Sequence, residues 1–124
     1  MDSQLQERLR IFEQEGLASP AIVQFVDAIL HWLEQESHRL CTEENAGPLA
    51  SHLMLALTRV SRGEALSDTW DANVHEEALQ LASLTPWAEH IREQVRLVLN
   101  LTLPPEEIDF LLLHLGVFTL RSEV

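Results

Sequence analysis

Lysine and tyrosine are absent from this 124-residue sequence, and basic side chains of any kind are few. The eight basic residues are all arginine and stand against twenty acidic residues, which gives a formal net charge of −12. Binding to nucleic acid needs clustered basic side chains that neutralise phosphates, so direct contact with DNA, RNA or an anionic membrane is not expected. The lack of lysine also excludes Schiff-base chemistry and the lysine of a phosphate-binding P-loop.

Cysteine and long apolar runs are scarce as well. The single cysteine, Cys41, cannot form an intramolecular disulfide, and the chain opens on a polar, acidic segment unlike a signal peptide. The most apolar stretch, residues 21–33, is interrupted by Asp27 and His31 and is shorter than the roughly 20 residues that cross a bilayer. These features predict a cytoplasmic protein without a membrane-spanning segment.

Apolar residues recur at helical spacing through most of the chain, whereas alternating strand patterns with hairpin turns are missing. The sequence therefore predicts an all-α protein. Its first half contains three start signals (a serine, a Ser-Pro pair and a proline) and two glycine stop signals. The predicted helices run from Ser3 to Gly16, from Ser19 to about Leu40, and from near Pro48 to Gly63, with the polar segment TEENAG as a loop before the third.

The second half predicts a connection, RGEALSDTWDAN, and three more helices. A short fourth helix over residues 74–84 takes Asn73 as its cap, and the fifth and sixth begin at Thr85-Pro86 and Pro104-Pro105. Glu106 and Glu107 stand where a helix dipole favours carboxylates, so we interpret them as capping and solvation charges. No repeat or linker divides the chain, and residues 1–124 are expected to form a single compact helical bundle.

Six histidines are the only unusual supply of reactive groups. His52 and His114 lie within predicted helices, and each is followed seven positions later by an arginine, Arg59 and Arg121 respectively. Seven residues are almost two helical turns, about 10 Å along the axis, so each arginine can reach back toward its histidine. A phosphoryl group on the imidazole would then find a planar cation suited to phosphate.

Other uses of these histidines stay open at this point. A histidine in an apolar helix is more often a neutral group bonded to a backbone oxygen, and the repeated His/Arg spacing could be chance. Zinc sites need three or four converging ligands, and neither H-E-x-x-H nor paired cysteines occur, so no metal and no cofactor are expected. Cys41 is interpreted as a helix-end residue without a catalytic role.

The last predicted helix has two apolar faces. One contains a full core stripe, and the other contains His114 and Arg121 together with Phe110 and Val117. This second face predicts a partner, which could be another helix, a second subunit or a docking protein. The core stripe consists of Ile108, Leu111, Leu112, Leu115 and Phe118.

The segments SHLMLALTRVSRG (residues 51–63) and LPPEEIDFLLLHL (residues 103–115) resemble, in order and in separation, the two signature segments of the phosphotransferase-system regulation domain, or PRD. The match covers residues 16–120 and leaves residues 1–15 as an additional N-terminal helix. The resemblance implies a stand-alone copy with five core helices, commonly paired as a homodimer. Ser51 departs from the family, which usually has aspartate before the first histidine.

The resemblance also implies a function. His114 and His52 match the two phosphoacceptor histidines, and Arg59 matches the basic position of the first segment. The phosphate donor would be the carrier protein HPr or an enzyme II B component of the bacterial sugar phosphotransferase system. The domain would have no catalytic residue of its own, and its phosphorylation would control transcription, as in antiterminators, or the action of a partner.

Two other classes of function stay open. The first is a helical dimerisation or adaptor module that keeps a degenerate PRD fold and is never phosphorylated, which Ser51 favours. The second is an enzyme or metalloprotein whose site would combine His52, His114 and nearby carboxylates, and bound metal in the purified protein would support it.

Overall fold

The computed structural model describes residues 1–64 and 71–121, and the predicted connection between the third and fourth helices lies partly outside them, at residues 65–70. Within these ranges the protein is all-helical, as predicted, and contains no strand. The six α-helices are α1 (Ser3–Gln14), α2 (Pro20–Ser37), α3 (Glu43–Ser61), α4 (Ala72–Leu79), α5 (Thr85–Gln94) and α6 (Glu107–Arg121).

The start of α1 differs from the prediction by one residue. Asp2, not Ser3, is the N-cap, and its carboxylate accepts a hydrogen bond from the backbone N–H of Leu5 at 2.9 Å. The same carboxylate lies 3.2 Å from the backbone nitrogen of Glu43, so it also accepts from the first residue of α3. The Asp2 carboxylate thus accepts hydrogen bonds from the first turns of two helices. Its negative charge also interacts favourably with the positive ends of both helix dipoles, which a neutral serine hydroxyl would do less well.

The predicted start of α2 is confirmed, because the Ser19 hydroxyl accepts from the Ile22 N–H at 3.3 Å and Pro20 occupies the first helical position. The helix ends at Ser37, earlier than predicted, where His38 adopts a left-handed conformation with φ 57°. A non-glycine residue in that region closes the helix much as a C-terminal glycine does.

The prediction for the third helix was wrong at its beginning. The segment TEENAG is not a loop, because α3 begins at Glu43 and contains Pro48 in its interior. A capping box overrides the proline signal: the Asn45 N–H donates to the Thr42 hydroxyl at 3.1 Å, and the Thr42 N–H donates to the Asn45 side chain at 2.7 Å. The predicted end is confirmed, since Gly63 has φ +73° just beyond the helix.

The fourth predicted helix divides into two pieces. The N-cap of α4 is Asp71, not Asn73, and its carboxylate accepts from the N–H groups of Asn73 and Val74. A short 3₁₀ helix at Ala82–Leu84 then leads directly into α5, and a π-helical turn at Val95–Leu99 continues α5 to Asn100.

The core lies around α3, which packs against α1, α2 and, most extensively, α6. The helices α4 and α5 also pack against α6. Four of the five residues in the predicted core stripe of α6 are buried, and Ile108 is half-buried. None of the helices in residues 1–64 and 71–121 is both long and apolar enough to cross a bilayer. The α3–α6 contact therefore forms the centre of the molecule, and both signature histidines lie along it.

Candidate histidine site between α3 and α6

The α3–α6 contact is antiparallel. Glu44, near the start of α3, pairs with Arg121 at the end of α6 at 3.6 Å, whereas His52, further along α3, meets Glu107 at the start of α6. This register brings the two signature histidines to the same level, and their ring centroids lie 5.0 Å apart. The partner predicted for the second face of α6 is thus, at His114, the helix α3.

His52 lies in a small cluster supplied mainly by α6. Its Nε2 is 3.1 Å from the Glu107 Oε2, and its ring stacks on Phe110 with centroids 5.5 Å apart. Because a carboxylate only accepts hydrogen bonds, Nε2 carries the proton in this arrangement. The Glu107 contact therefore fixes both the orientation of the ring and the site of its proton.

Glu107 is a functional candidate that our sequence interpretation missed. It was assigned as a capping and solvation charge, but it is 2% exposed and forms an ion-pair contact with His52. A buried carboxylate is costly unless it is hydrogen-bonded or paired with a positive charge. The imidazole of His52 is its described side-chain partner, so the two groups depend on each other.

The environment of His114 keeps its imidazole neutral. The pKa of His114 is lowered to about 4, chiefly by burial and also by the nearby His52, while Glu107 opposes the change. At neutral pH one ring nitrogen therefore carries an unprotonated lone pair, which is the form that attacks an electrophile. His52 thus donates a hydrogen bond to Glu107, and His114 provides a neutral imidazole beside it.

The two arginines at the seven-residue spacing contact carboxylates. The Arg59 Nε lies 3.9 Å from the Glu64 Oε1, and Arg121 pairs with Glu44. Both arginine side chains are about half exposed, at 48% and 55%, so they can change partners at little cost. Their role as phosphate contacts stays a prediction.

Ser51, the residue before His52, belongs to a different network. Its hydroxyl accepts a 2.6 Å hydrogen bond from the Arg8 side chain of α1, and Arg8 also pairs with Glu43. Gly47 makes room for this arginine, since a Cβ there would lie 3.2 Å from the guanidinium. The carboxylate that contacts His52 is instead Glu107, which comes from α6.

A second histidine–carboxylate pair lies on the same turn of α6. The His75 Nδ1 is 2.9 Å from the Asp109 Oδ2, which connects α4 to α6. Asp109 is 9% exposed, whereas the His75 side chain is nearly half exposed. No short sequence signal pointed to this pair, because the two residues are 34 positions apart.

The remaining histidines lie away from this cluster. His31 is exposed beside Asp27 and Glu34, and His90 stacks on Trp32 with ring centroids 4.1 Å apart. Among the described residues, no three histidine, cysteine, aspartate or glutamate side chains converge to hold a metal ion. Cys41 is buried, and burial raises the pKa of its thiol to about 12.

No family model, no curated protein and no solved structure matches this chain. The resemblance to PRD stays a prediction that is based on the two quoted segments.

Proposed function

We propose that this chain is a non-enzymatic regulatory domain that accepts a phosphoryl group on a histidine from the sugar phosphotransferase system, through HPr or an enzyme II B component. His114 is the leading acceptor and His52 the second. Phosphorylation would shift α3–α6 packing or dimerisation and so control transcription or a partner protein. The observation that supports the proposal is that the rings of His52 and His114 lie with their centroids 5.0 Å apart, close to the buried carboxylate of Glu107.

The proposed function requires the domain only to accept a phosphoryl group. The lone pair of a neutral imidazole nitrogen attacks the phosphorus of the donor's phosphoryl group, and the bond between phosphorus and the donor side chain breaks. The electron pair of that bond stays with the donor side chain, and the proton on the other ring nitrogen of the acceptor passes to the donor side chain or to water. The products are a phosphoramidate on this chain and a donor that has lost its phosphoryl group. The low pKa of His114 supports its role, because the imidazole needs no deprotonation before it attacks.

The carboxylate explains why a phosphoryl group would have structural consequences. The Nε2–H of His52 donates to the Oε2 of Glu107, so a phosphoryl group on that nitrogen would replace a proton donor with about two negative charges. A phosphoryl group on His114 would add the same charge one ring away. In either case negative charge is added close to the buried Glu107, and a change in the α3–α6 contact would relieve the repulsion.

A second candidate function is a helical dimerisation or adaptor module that is never phosphorylated. Two observations favour it: the His52 Nε2 is already engaged by Glu107, and the His114 side chain is half-buried. In that case the cluster would serve only to hold α3 against α6.

The distinguishing experiment supplies donors to the purified protein and measures its intact mass. Phosphoenolpyruvate, enzyme I and HPr are added, with and without enzyme II B components. We expect an acid-labile gain of one phosphoryl group that is lost in His114→Gln or reduced in His52→Gln. His31→Gln serves as the matched control, because His31 is an exposed histidine outside the cluster.

Each outcome decides between the candidates. Labelling that persists in the double variant His52→Gln/His114→Gln would sink the assignment of the site. No labelling with any donor would favour the silent adaptor module, and the same glutamine variants would then test whether the cluster is needed for stability alone.

A further inference from the structure

We propose that the first turn of α6 couples the His52 site to α4, so that negative charge placed at His52 loosens the docking of α4 on α6. This inference deepens the proposed function, and its physiological meaning rests on it, since it names the element that phosphorylation would release. The coupling itself is a property of the unphosphorylated fold and can be tested separately.

The observation behind it is that one short turn is held by two histidines from two different helices. Glu107 is bound by His52 of α3, and Asp109, two residues later, is bound by His75 of α4. Residues two apart on a helix point to opposite sides of it, so the turn bridges α3 and α4. A displacement of Glu107 away from α3 therefore moves the backbone that carries Asp109.

Short-range backbone hydrogen bonds hold the start of α6. Its backbone bonds span three residues: Glu107 N–H donates to Pro104, Ile108 N–H to Pro105 and Asp109 N–H to Glu106, at 3.0, 3.1 and 3.3 Å. This pattern is a tight 3₁₀-type turn, whose hydrogen-bond geometry is poorer than that of an α-helix. Its three bonds are the local resistance that a change at Glu107 must overcome.

The docking of α4 is the weaker of the two contacts. The helix has eight residues and buries a single side chain, Ala78, while His75–Asp109 supplies its polar attachment. A helix that short is not stable alone in water, so α4 depends on α6 for its structure. Just after it, Leu81 packs closely on Gly116 of α6, where a Cβ would lie 2.7 Å from the leucine Cδ1.

These contacts predict a direction for the coupling. Negative charge at His52 repels the buried Glu107, the first turn of α6 rotates away from α3, and Asp109 moves relative to His75. The α4 helix then opens more often, while Leu81 and Gly116 keep its far end close to α6. Opening would expose the surface of α6 that α4 covers and provide a surface that a partner could read.

The test is amide hydrogen exchange on two variants of the same size, His52→Glu and His52→Gln. Glutamine keeps a donor for Glu107, whereas glutamate places a carboxylate against it. We expect peptides covering residues 72–79 to exchange about fivefold faster in His52→Glu than in His52→Gln, with α1 peptides unchanged. In an Asp109→Asn background, which weakens the attachment of α4 beforehand, the difference should fall to less than about twofold.

Three results would overturn the coupling: equal α4 exchange in the two variants, acceleration spread evenly over all helices, or a full difference that survives Asp109→Asn. The same measurement on donor-treated protein separates the two proposals. Phosphate located on His52 together with unchanged α4 exchange contradicts only the coupling. Failure to gain phosphate contradicts only the proposed function, because the glutamate/glutamine comparison decides the coupling in either case.

Discussion

Single side chains set the chemistry of the cluster, and His114 provides the clearest test. Its pKa in the folded protein is lowered to about 4 from an ordinary value of 6.5, because burial disfavours the charged form. Below pH 6.5 the unfolded chain binds a proton at this position that the folded protein does not. His114 therefore costs no folding stability above that pH, and its share of the stability is lost progressively as the pH falls from 6.5 toward 4.

We expect the free energy of unfolding to fall more steeply with acidification in the wild-type protein than in His114→Gln. The difference between the two pH dependences should reach about 2 kcal/mol near pH 4.5. Urea unfolding at several pH values measures it, and the comparison cancels the acid sensitivity of other groups such as Glu34, whose pKa is lowered by its contacts with the terminal amine and Cys41. Parallel curves for the two proteins would contradict the lowered pKa of the half-buried His114.

The sequence could have identified more of the site than our interpretation did. The spacing that paired His114 with Arg121 also pairs it with Glu107, seven residues earlier on the same face. We assigned Glu107 from its place near a helix start, where carboxylates are usually exposed. Its burial follows from how α6 lies on α3, which is tertiary information, and the His75–Asp109 pair is hidden for the same reason.

Helix starts show where local signals succeed and where they compete. The Ser-Pro start of α2 is decided by neighbouring residues alone and was predicted correctly. Pro48 misled the prediction for α3, because a capping box that begins six residues earlier, at Thr42, is stronger than the proline signal. At α1 the choice between Asp2 and Ser3 depends on the distant start of α3, which Asp2 also contacts.

Asp2 and Ser3 provide a matched pair of substitutions for this element. Asp2→Ala removes the cap of α1 and an acceptor for α3, so we expect it to lower the free energy of unfolding by about 1–2 kcal/mol. Ser3→Ala removes only an exposed hydroxyl and should change it by less than about 0.5 kcal/mol. Chemical denaturation checks both, and a larger loss for Ser3→Ala would contradict the assigned cap.

The whole molecule combines a strongly acidic composition with a central contact that contains a buried acid. The net charge of −12 makes any added phosphate costly unless the fold gives it a specific place or a specific effect. The all-helical class, the helix count and the core stripe of α6 followed from periodicity. The pairing of α3 with α6 did not, because periodicity specifies which face is apolar and not which helix covers it.

The central claim is that a phosphoryl group is carried by a histidine of the α3–α6 cluster. Its most direct measurement is to locate the phosphate in donor-treated wild-type protein by peptide fragmentation under neutral conditions that preserve phosphohistidine. The account predicts phosphate on His114, with a smaller share on His52. Phosphate confined to His31, His38, His75 or His90, or no phosphohistidine with any donor, would contradict it.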